Sequence, residues 1–342
     1  GLERLREYIE NDNLDFDEAL EVVRSSSLFT THTPVPAGHD AFEEGMLRKY
    51  LGFLPSRLKI DWDTFMSLGR ANHNDKGERF SMSFLAANLS QNVNGVSMLH
   101  GDVSRDIFSS MYKGYLPEEL FISYVTNGVH YPTWAARDWK SVHAKVFGDE
   151  FKTHHYDKKC FGGIFNVSDE EIWDVRKKLK QILVREVKTR IADSSLAGHY
   201  SPREIVTIKE TLRDDVLTIG FARRFATYKR ATLLFEDLDR LDSIVNDPER
   251  PVQFIFAGKA HPADGAGQDL IKKIIGISKD ERFIGKIVFI PGYDMTLAKR
   301  LVQGVDVWMK NPTKPLEASL FTTKPTLPAD VLPVGSVASG TP

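Results

Sequence analysis

Four cationic residues follow a short apolar run and could together bind an anion. The run at 216–221 is typical of a buried parallel strand, and the cations after it are Arg223, Arg224, Lys229 and Arg230. Ligands of open α/β sheets bind at the carboxyl ends of strands. The pattern also predicts that a helix begins here, and a helix N-terminus favours anions. We therefore predict a site for phosphate or another polyanion, with a solvated basic helix start as the alternative.

The segments around these cations alternate between strands and helices. Strands are predicted at 216–221, 252–258, 287–290 and 305–308, and helices at 229–246, 268–277 and 295–302. This βαβ order predicts a parallel sheet with right-handed crossovers. The alternating region is too short for a complete doubly wound domain, so we expect an incomplete sheet.

Two polar loops in the first half of the chain also follow strand candidates. Residues 32–40 contain two prolines and a glycine, and residues 126–130 contain the turn pair Asn-Gly. The loops present His32 and Asn127 at strand ends, where ligand contacts and ordinary turns are both reasonable interpretations. The helices of this half are predicted at 16–24, 41–51, 61–71, 81–92 and 95–108.

Composition excludes several classes of function. The chain has 342 residues, 42% apolar and 27% charged, and a net charge of −2, which argues against a broad nucleic-acid surface. Its single cysteine, Cys160, excludes an intrachain disulfide and fits a reducing compartment. No apolar run reaches the roughly 18 residues of a membrane span. The first residues resemble the middle of a helix, so we expect an internal part of a larger protein.

A cluster of possible metal ligands lies in the irregular stretch 150–167. It contains His154, His155, Asp157 and Cys160, but their spacing matches no standard zinc pattern. We predict a polar surface loop and no metal site.

Five stretches, in this order, resemble the α-glucan phosphorylases, in particular their shorter bacterial and archaeal branch. They are FTTHTPVPAGHD at 29–40, NGVSMLHG at 94–101, VTNGVH at 125–130, GFARRFATYKR at 220–230 and KPLEAS at 314–319. The resemblance extends from residue 1 to residue 319. It therefore covers almost the whole chain.

The resemblance implies an α/β fold of the GT-B type, with two Rossmann-like domains that face a cleft, both incomplete here. Residues 1–200 would form the C-terminal part of the N-terminal domain with linking helices. Residues 201–319 would form the N-terminal part of the C-terminal domain. Residues 320–342 have no counterpart in the family, and we expect this tail to be disordered.

The resemblance also implies a glycosyltransferase activity. These enzymes transfer a terminal glucosyl unit of glycogen, starch or maltodextrin to phosphate and release α-glucose 1-phosphate. They use pyridoxal phosphate through its phosphate group. The implied partners are an α-1,4-glucan and inorganic phosphate, without metal, nucleic acid or membrane. We expect a cytoplasmic enzyme, and a homo-oligomer is left open.

The resemblance implies roles for individual residues of this chain, according to their positions in the motifs. Arg224 and Lys229 match the pair that holds the substrate phosphate near the cofactor phosphate, and Arg223 and Tyr293 match residues of the cofactor pocket. Arginine offers a planar fork to phosphate oxygens and lysine a compact charge. The matched sugar-binding residues are His32, Asn127, Tyr228, Glu317 and Ser319.

The chain departs from the family after Ser319. The family continues with Gly-Thr-Ser and has the Schiff-base lysine eight residues after the glutamate, whereas this chain has Leu320 and then Pro325 at that position. Lys324 is one residue early and precedes a proline, so we do not assign the cofactor to it. The stretch 338–341, Ala-Ser-Gly-Thr, resembles the missing motif, as an insertion or reading error would produce. The glycine loop that precedes this region in the family is also absent, and we expect the isolated chain to be inactive.

Two other functions remain open. A nucleotide-sugar glucan synthase has the same fold and also has Arg and Lys at the start of its second domain. The motif Pro-Leu-Glu-Ala-Ser at 315–319 favours the phosphorylase. A non-catalytic glucan-binding pseudoenzyme is the alternative from another class, because the cofactor lysine is missing.

Overall fold

The computed structural model describes residues 1–148, 150–154, 158–193, 198–317 and 332–335. The described residues form two compact units. The first unit contains Gly1–Gly128 and 314–317, and the second contains Val129–Thr313 and Leu332–Gly335.

This division falls at residue 128, whereas the family resemblance led us to expect a domain boundary at residue 200. The reason is that the long helix Asp169–Ala192 packs against the helix Met295–Gly304 of the second unit. Arg176 on the long helix also donates a hydrogen bond to the Val305 carbonyl at 2.5 Å. Residues 129–200 therefore group with the second unit, among the residues that the structure describes. The assignment of 1–200 and 201–319 to the two GT-B domains stays a prediction.

The first unit combines helices with a small parallel sheet. Its helices are α1 (Leu2–Asn11), α2 (Phe16–Ser25), α3 (Glu44–Leu51), α4 (Leu54–Arg57), α5 (Trp62–Ser67), α6 (Met82–Asn88) and α7 (Met98–Phe108). Its strands are β1 (Leu28–Thr30), β2 (Ala41–Phe42), β3 (Phe80–Ser81), β4 (Asn92–Gly95) and β5 (Ile122–Tyr124). Strands β1, β4 and β5 form a parallel sheet in the order β1-β4-β5, and β2 pairs with β3 antiparallel.

The central strand of this sheet, β4, was not predicted from the sequence. The sequence Asn-Val-Asn-Gly has little intrinsic strand propensity, and we expected helices up to residue 92 and from residue 95. Tertiary contacts stabilise the strand instead. The buried Asn94 accepts a hydrogen bond from the Thr30 hydroxyl at 2.9 Å and donates one to the Gly95 carbonyl at 3.0 Å.

The second unit is built on a larger parallel sheet. Its helices are α8 (Tyr131–Trp134), α9 (Arg137–Phe147), α10 (Phe151–His154), α11 (Asp169–Ala192), α12 (Pro202–Thr211), α13 (Leu238–Val245), α14 (Gly265–Ser278) and α15 (Met295–Gly304). Its strands are β6 (Leu217–Ala222), β7 (Val252–Ala257), β8 (Ile287–Ile290), β9 (Val307–Lys310) and β10 (Leu332–Gly335). The strand order is β10-β9-β6-β7-β8, and every pairing is parallel.

Both faces of this sheet are apolar and covered. On one face, Ala222, Ile255 and Val288 join a core with residues of α11, α12 and α15. On the other face, Phe256 and Phe289 join a phenylalanine-rich core with residues of α13 and α14. Burial on both faces explains why the strands are nearly continuous apolar runs, which made β6, β7, β8 and β9 predictable.

The tail after residue 319 is described only at β10. This strand extends the sheet by pairing with β9, with Leu332 opposite Val307. The predicted disorder of the other tail residues concerns positions outside the described residues.

Arg176 anchors α11 to the sheet, and we expect its loss to destabilise the protein. Its side chain is 9% exposed, contacts the Val305 carbonyl and lies 3.5 Å from Asp306. Arg176→Met would remove a buried cation from its polar partners, so the free energy of unfolding should fall by about 2–4 kcal/mol. The matched control is Arg185→Met at an exposed position of α11, which should change it by less than about 0.5 kcal/mol. Chemical denaturation measures both, and equal effects would contradict the anchoring role.

His143 makes the stability of the second unit sensitive to acid. Its ring lies between Trp139 and Phe147, at centroid distances of 5.7 and 5.3 Å, and burial lowers the pKa of His143 to about 4. In the unfolded chain the pKa is about 6.5. Above about pH 6.5 the His143 ring is neutral in both the folded and the unfolded state, so it does not reduce the free energy of unfolding. As pH falls towards 4 the unfolded state binds the proton first, so stability should decrease by about 1.4 kcal/mol per pH unit.

Denaturation of His143→Phe as a function of pH tests this expectation. The variant should lose the part of the pH dependence between pH 6.5 and 4 that His143 contributes. His199→Phe, at an exposed position of the second unit, should retain it. A shared loss in both variants would show that burial of His143 is not the cause.

Candidate functional site

The predicted cations lie in a turn at the carboxyl end of β6, which we call the cation turn (residues 223–230). The turn runs beside the loop that follows β7. The Arg223 amide donates to the Ala257 carbonyl at 3.2 Å, and the Phe225 amide donates to the Lys259 carbonyl at 2.9 Å. Phe225 is fully buried in the phenylalanine-rich core. The sheet and this aromatic anchor therefore fix the start of the turn.

The helix predicted at 229–246 does not begin in the cation turn, so this prediction was wrong. The chain forms short 3-10 segments at Thr227–Lys229 and Leu233–Phe235, and α13 begins only at Leu238. Arg230 interrupts helix formation because it has left-handed backbone angles, φ 47° and ψ 45°. The cations therefore do not benefit from a helix N-terminus, and their side chains must provide the positive charge.

Each helix that follows β6, β7 or β8 has an aspartate at its own N-terminus. Asp237 accepts from the Arg240 amide at 2.9 Å, Asp264 from the Gly267 amide at 2.9 Å, and Asp294 from the Leu297 amide at 2.7 Å. Hydrogen bonds to the Asp294 carboxylate, of which the one from the Leu297 amide has the largest effect, hold the pKa of Asp294 below its usual value. These helix ends are thus already occupied by carboxylates.

The cations of the turn differ in their contact with solvent. Lys229 is 9% exposed and Arg223 is 6% exposed, whereas Arg224 is exposed. The Lys229 ammonium lies 5.1 Å from the centroid of the Tyr228 ring. A charge that is largely withdrawn from water interacts more strongly with a nearby anion, because the effective dielectric constant is lower.

A glycine after β7 permits the close approach of the cation turn. Gly258 has φ +149°, and a Cβ atom on it would lie 2.0 Å from the Arg223 carbonyl oxygen and 2.8 Å from the Phe225 ring. Sequence reasoning missed this residue. Its position directly after an apolar strand was the available signal.

Tyr293 lies at the same edge of the sheet, after β8. It is half-buried beside the core that contains α11, α12 and α15, and burial raises the pKa of its phenol. Because β7 lies between β6 and β8, roughly 10 Å separates the two strand ends. The structure thus places Tyr293, Arg223, Arg224, Tyr228 and Lys229 along one sheet edge.

In the first unit, His32 and Asn127 also follow the carboxyl ends of parallel strands. The Thr31 amide donates to the Asn94 carbonyl at 3.0 Å, and the Asn127 amide donates to the Val96 carbonyl at 3.2 Å. The two residues therefore lie on either side of the end of β4. His32 is exposed and Asn127 is half-buried.

Two further histidines, which sequence reasoning did not assign to the site, hold backbone near the carboxyl edge of this sheet. His39 makes hydrogen bonds to the Thr33 carbonyl and the Ser83 hydroxyl, both at 2.8 Å. His100 accepts from the Val96 amide at 3.2 Å, and burial lowers the pKa of His100. The hydrogen bonds of both rings to nearby backbone suit a structural role.

The remaining sugar-binding candidates lie near the end of the described chain. Glu317 is half-buried and groups with the first unit, and Ser319 lies outside the described residues. Within the described ranges, no group of three or more His, Cys, Asp or Glu side chains could hold a metal ion. His155 and Asp157 of the predicted surface loop are not among those residues.

The parallel sheets and their helices form an α/β fold, which is consistent with the fold class of carbohydrate phosphorylases. Residues 2–323 match the model of the carbohydrate phosphorylase family. The chain belongs to this family, and the resemblance found in its five motifs is confirmed.

Several relatives are similar to most of this chain. Glycogen phosphorylase of Mycobacterium tuberculosis is 41% identical over 324 residues, and maltodextrin phosphorylase of Thermococcus litoralis is 40% identical over 326 residues. Each match covers 93% of this chain and 37% of the relative. Glycogen phosphorylase of Aquifex aeolicus is 40% identical over 305 residues, which are 89% of this chain and 44% of the relative. The chain thus spans less than half the length of these relatives.

No helix within the described segments is both long and apolar enough to cross a membrane.

Proposed function

We propose that this chain contributes part of the active site of a cytoplasmic α-1,4-glucan phosphorylase with the GT-B fold. Such an enzyme transfers a terminal glucosyl unit of glycogen, starch or maltodextrin to phosphate and releases α-glucose 1-phosphate. The observation that carries the proposal is the cation turn at the carboxyl edge of the second sheet, within residues that match the carbohydrate phosphorylase family. The identity to enzymes named glycogen and maltodextrin phosphorylase supports it.

In this proposal Arg224 and Lys229 bind the substrate phosphate. The exposed guanidinium of Arg224 is accessible to two phosphate oxygens at once, and the largely buried ammonium of Lys229 supplies a compact charge. Together they would neutralise the attacking phosphate and orient it towards the sugar. Tyr228 is half-buried beside Lys229 and could contact a sugar hydroxyl.

The described residues fit the phosphate end of pyridoxal phosphate. Arg223 and Lys229 provide cations that are almost withdrawn from water, Tyr293 provides a half-buried aromatic ring at the same edge, and Gly258 permits the backbone of Arg223 to lie against the end of β7. When bound, the cofactor supplies a second phosphate group beside the substrate phosphate. The Schiff-base lysine is not provided at its expected position, which is Pro325.

The sugar contacts form the second part of the proposal. His32 and Asn127, at the carboxyl edge of the first sheet, would bind the glucose 6-hydroxyl, and Glu317 and Ser319 the ring hydroxyls. Their support is their agreement with the family motifs and, for the first two, their common sheet edge. The partners are an α-1,4-glucan and phosphate, and a homo-oligomer is compatible with this function.

Ligand binding to the 342-residue chain tests the proposed function. Isothermal titration with orthophosphate, pyridoxal phosphate and maltoheptaose should show binding of each, and binding of both phosphates should weaken in Arg224→Gln. Release of a nucleoside diphosphate from a nucleotide-sugar would favour the glucan synthase instead. Binding of maltoheptaose without either phosphate would favour a non-catalytic glucan-binding protein.

We expect pyridoxal phosphate to bind without a specific covalent link to the chain. Pro325 replaces the lysine, and the proline also restrains Lys324 away from helical backbone angles. After incubation with the cofactor and reduction with borohydride, peptide mass spectrometry should find no preferential pyridoxyl group at Lys324. The chain should also release no α-glucose 1-phosphate from maltoheptaose and phosphate. A stoichiometric pyridoxyl group on Lys324 would contradict this prediction.

A further inference from the structure

The segment after β9 holds the cation turn through three hydrogen bonds. The Arg230 Nε donates to the Asn311 carbonyl at 2.7 Å, the Asn311 side-chain amide donates to the Arg230 carbonyl at 3.0 Å, and the Thr313 amide donates to the Tyr228 carbonyl at 2.8 Å. Strand β9 is the direct neighbour of β6. The end of one strand thus fixes the turn that follows the adjacent strand.

The backbone of Arg230 needs such support. Its left-handed conformation, φ 47° and ψ 45°, is unfavourable for a residue with a Cβ atom, because that atom lies too close to the following carbonyl oxygen. Lys229 directly precedes it, so a change at Arg230 would redirect the chain that carries the ammonium. The Asn311 side chain binds the Arg230 carbonyl, which is the group that such a change would rotate.

The environment of Asn311 indicates that its amide N–H group is the functional part. Asn311 is 5% exposed, and its Oδ1 atom has no hydrogen-bond partner among the residues that the structure describes. An unpaired buried oxygen is unfavourable, because it has lost its hydrogen bonds to water without gaining a partner. An apolar side chain would avoid that penalty but could not donate to Arg230.

We infer that Asn311 is a positioning residue, which holds Arg230 in its left-handed conformation and thereby places Lys229 for anion binding. That Asn311 holds the backbone of Arg230 is argued from the hydrogen bonds alone. That this placement of Lys229 serves phosphate binding rests on the proposed function. If the inference is correct, Asn311 should matter only while residue 230 needs help to adopt positive φ. A glycine there adopts this conformation without the penalty.

A double-mutant cycle tests the inference. Asn311→Leu removes the donor with little change of volume, and it is made in the natural chain and in the Arg230→Gly variant. In the natural chain, Asn311→Leu should accelerate hydrogen exchange of the amides at 228–230 about fivefold to tenfold and weaken orthophosphate binding by a similar factor. In the Arg230→Gly variant, Asn311→Leu should alter the exchange rate and the orthophosphate affinity by less than about twofold.

Controls separate this role from general destabilisation. Gln303→Leu removes a different amide, which donates to the Trp134 carbonyl at 2.9 Å, and should leave both measurements unchanged. If Asn311→Leu does not fold, Asn311→Asp, which keeps the side-chain volume but lacks the N–H donor to the Arg230 carbonyl, should show the same faster exchange. Unchanged exchange, or equal effects in both backgrounds, would overturn the inference. Faster exchange in a protein that binds no phosphate would support Asn311 as the positioning residue and reject the proposed function.

Discussion

Lys229→Met should weaken binding of orthophosphate by about 10- to 100-fold, because a hydrogen bond to a charged group contributes about 1.5–3 kcal/mol. Lys229 is 9% exposed, so its charge is less screened than that of a surface lysine. Methionine keeps most of the length and the apolar contact of the side chain. The lost affinity can therefore be assigned to the charge. Isothermal titration at low and at physiological salt measures the effect.

The matched control is Lys273→Met, the same substitution at an exposed position of α14 in the second unit. It removes one positive charge from the same unit and should change the phosphate affinity by less than about twofold. If both variants lost affinity equally, phosphate would be responding to net charge. The cation turn would then not be a specific site.

Gly258→Ala should have the largest effect on structure. The new Cβ atom would lie 2.0 Å from the Arg223 carbonyl oxygen, which belongs to the backbone and cannot rotate away. The backbone angle φ +149° is also unfavourable for alanine. We expect the free energy of unfolding to decrease by about 2–4 kcal/mol. Because the cation turn must move, orthophosphate binding should also be lost at temperatures where the variant remains folded.

Gly265→Ala is the control for this prediction. Gly265 begins α14, and a Cβ atom there would meet no atom within 4 Å. The substitution should be neutral or stabilise the protein by up to about 1 kcal/mol, because alanine favours a helix. Thermal unfolding and phosphate titration of both variants distinguish the two glycines. Similar behaviour would show that the close approach at Gly258 is not important.

The sequence predicted those parts of the fold that local pattern determines. Strands β6, β7, β8 and β9 are apolar runs because both faces of their sheet are covered, and the sequence pattern showed them directly. Strand β4 was missed because its stability comes from Asn94, whose partner Thr30 is 64 residues away. The helix expected at 229–246 forms only at Leu238–Val245, because Arg230 adopts left-handed angles and interrupts its start.

The candidate site likewise contains residues that local sequence pattern predicts and residues that only tertiary contacts reveal. The cations were visible because four of them follow a strand, and the motifs of the family named the sugar contacts. Gly258 and Asn311 were not predicted, since each acts on the cation turn from a different strand end. Only the three-dimensional proximity of β6, β7 and β9 makes their roles evident. Sequence patterns of a single segment contain no such information.

The three aspartates that begin α13, α14 and α15 have a consequence for selectivity. They place fixed negative charges at the helix ends where many α/β proteins receive phosphate through backbone amides. An anion that approaches this edge is therefore repelled at these three helix ends and attracted at the cation turn. Such an arrangement would disfavour anions that require a broad positive surface, such as nucleic acid, and would favour a small dianion that binds at the turn.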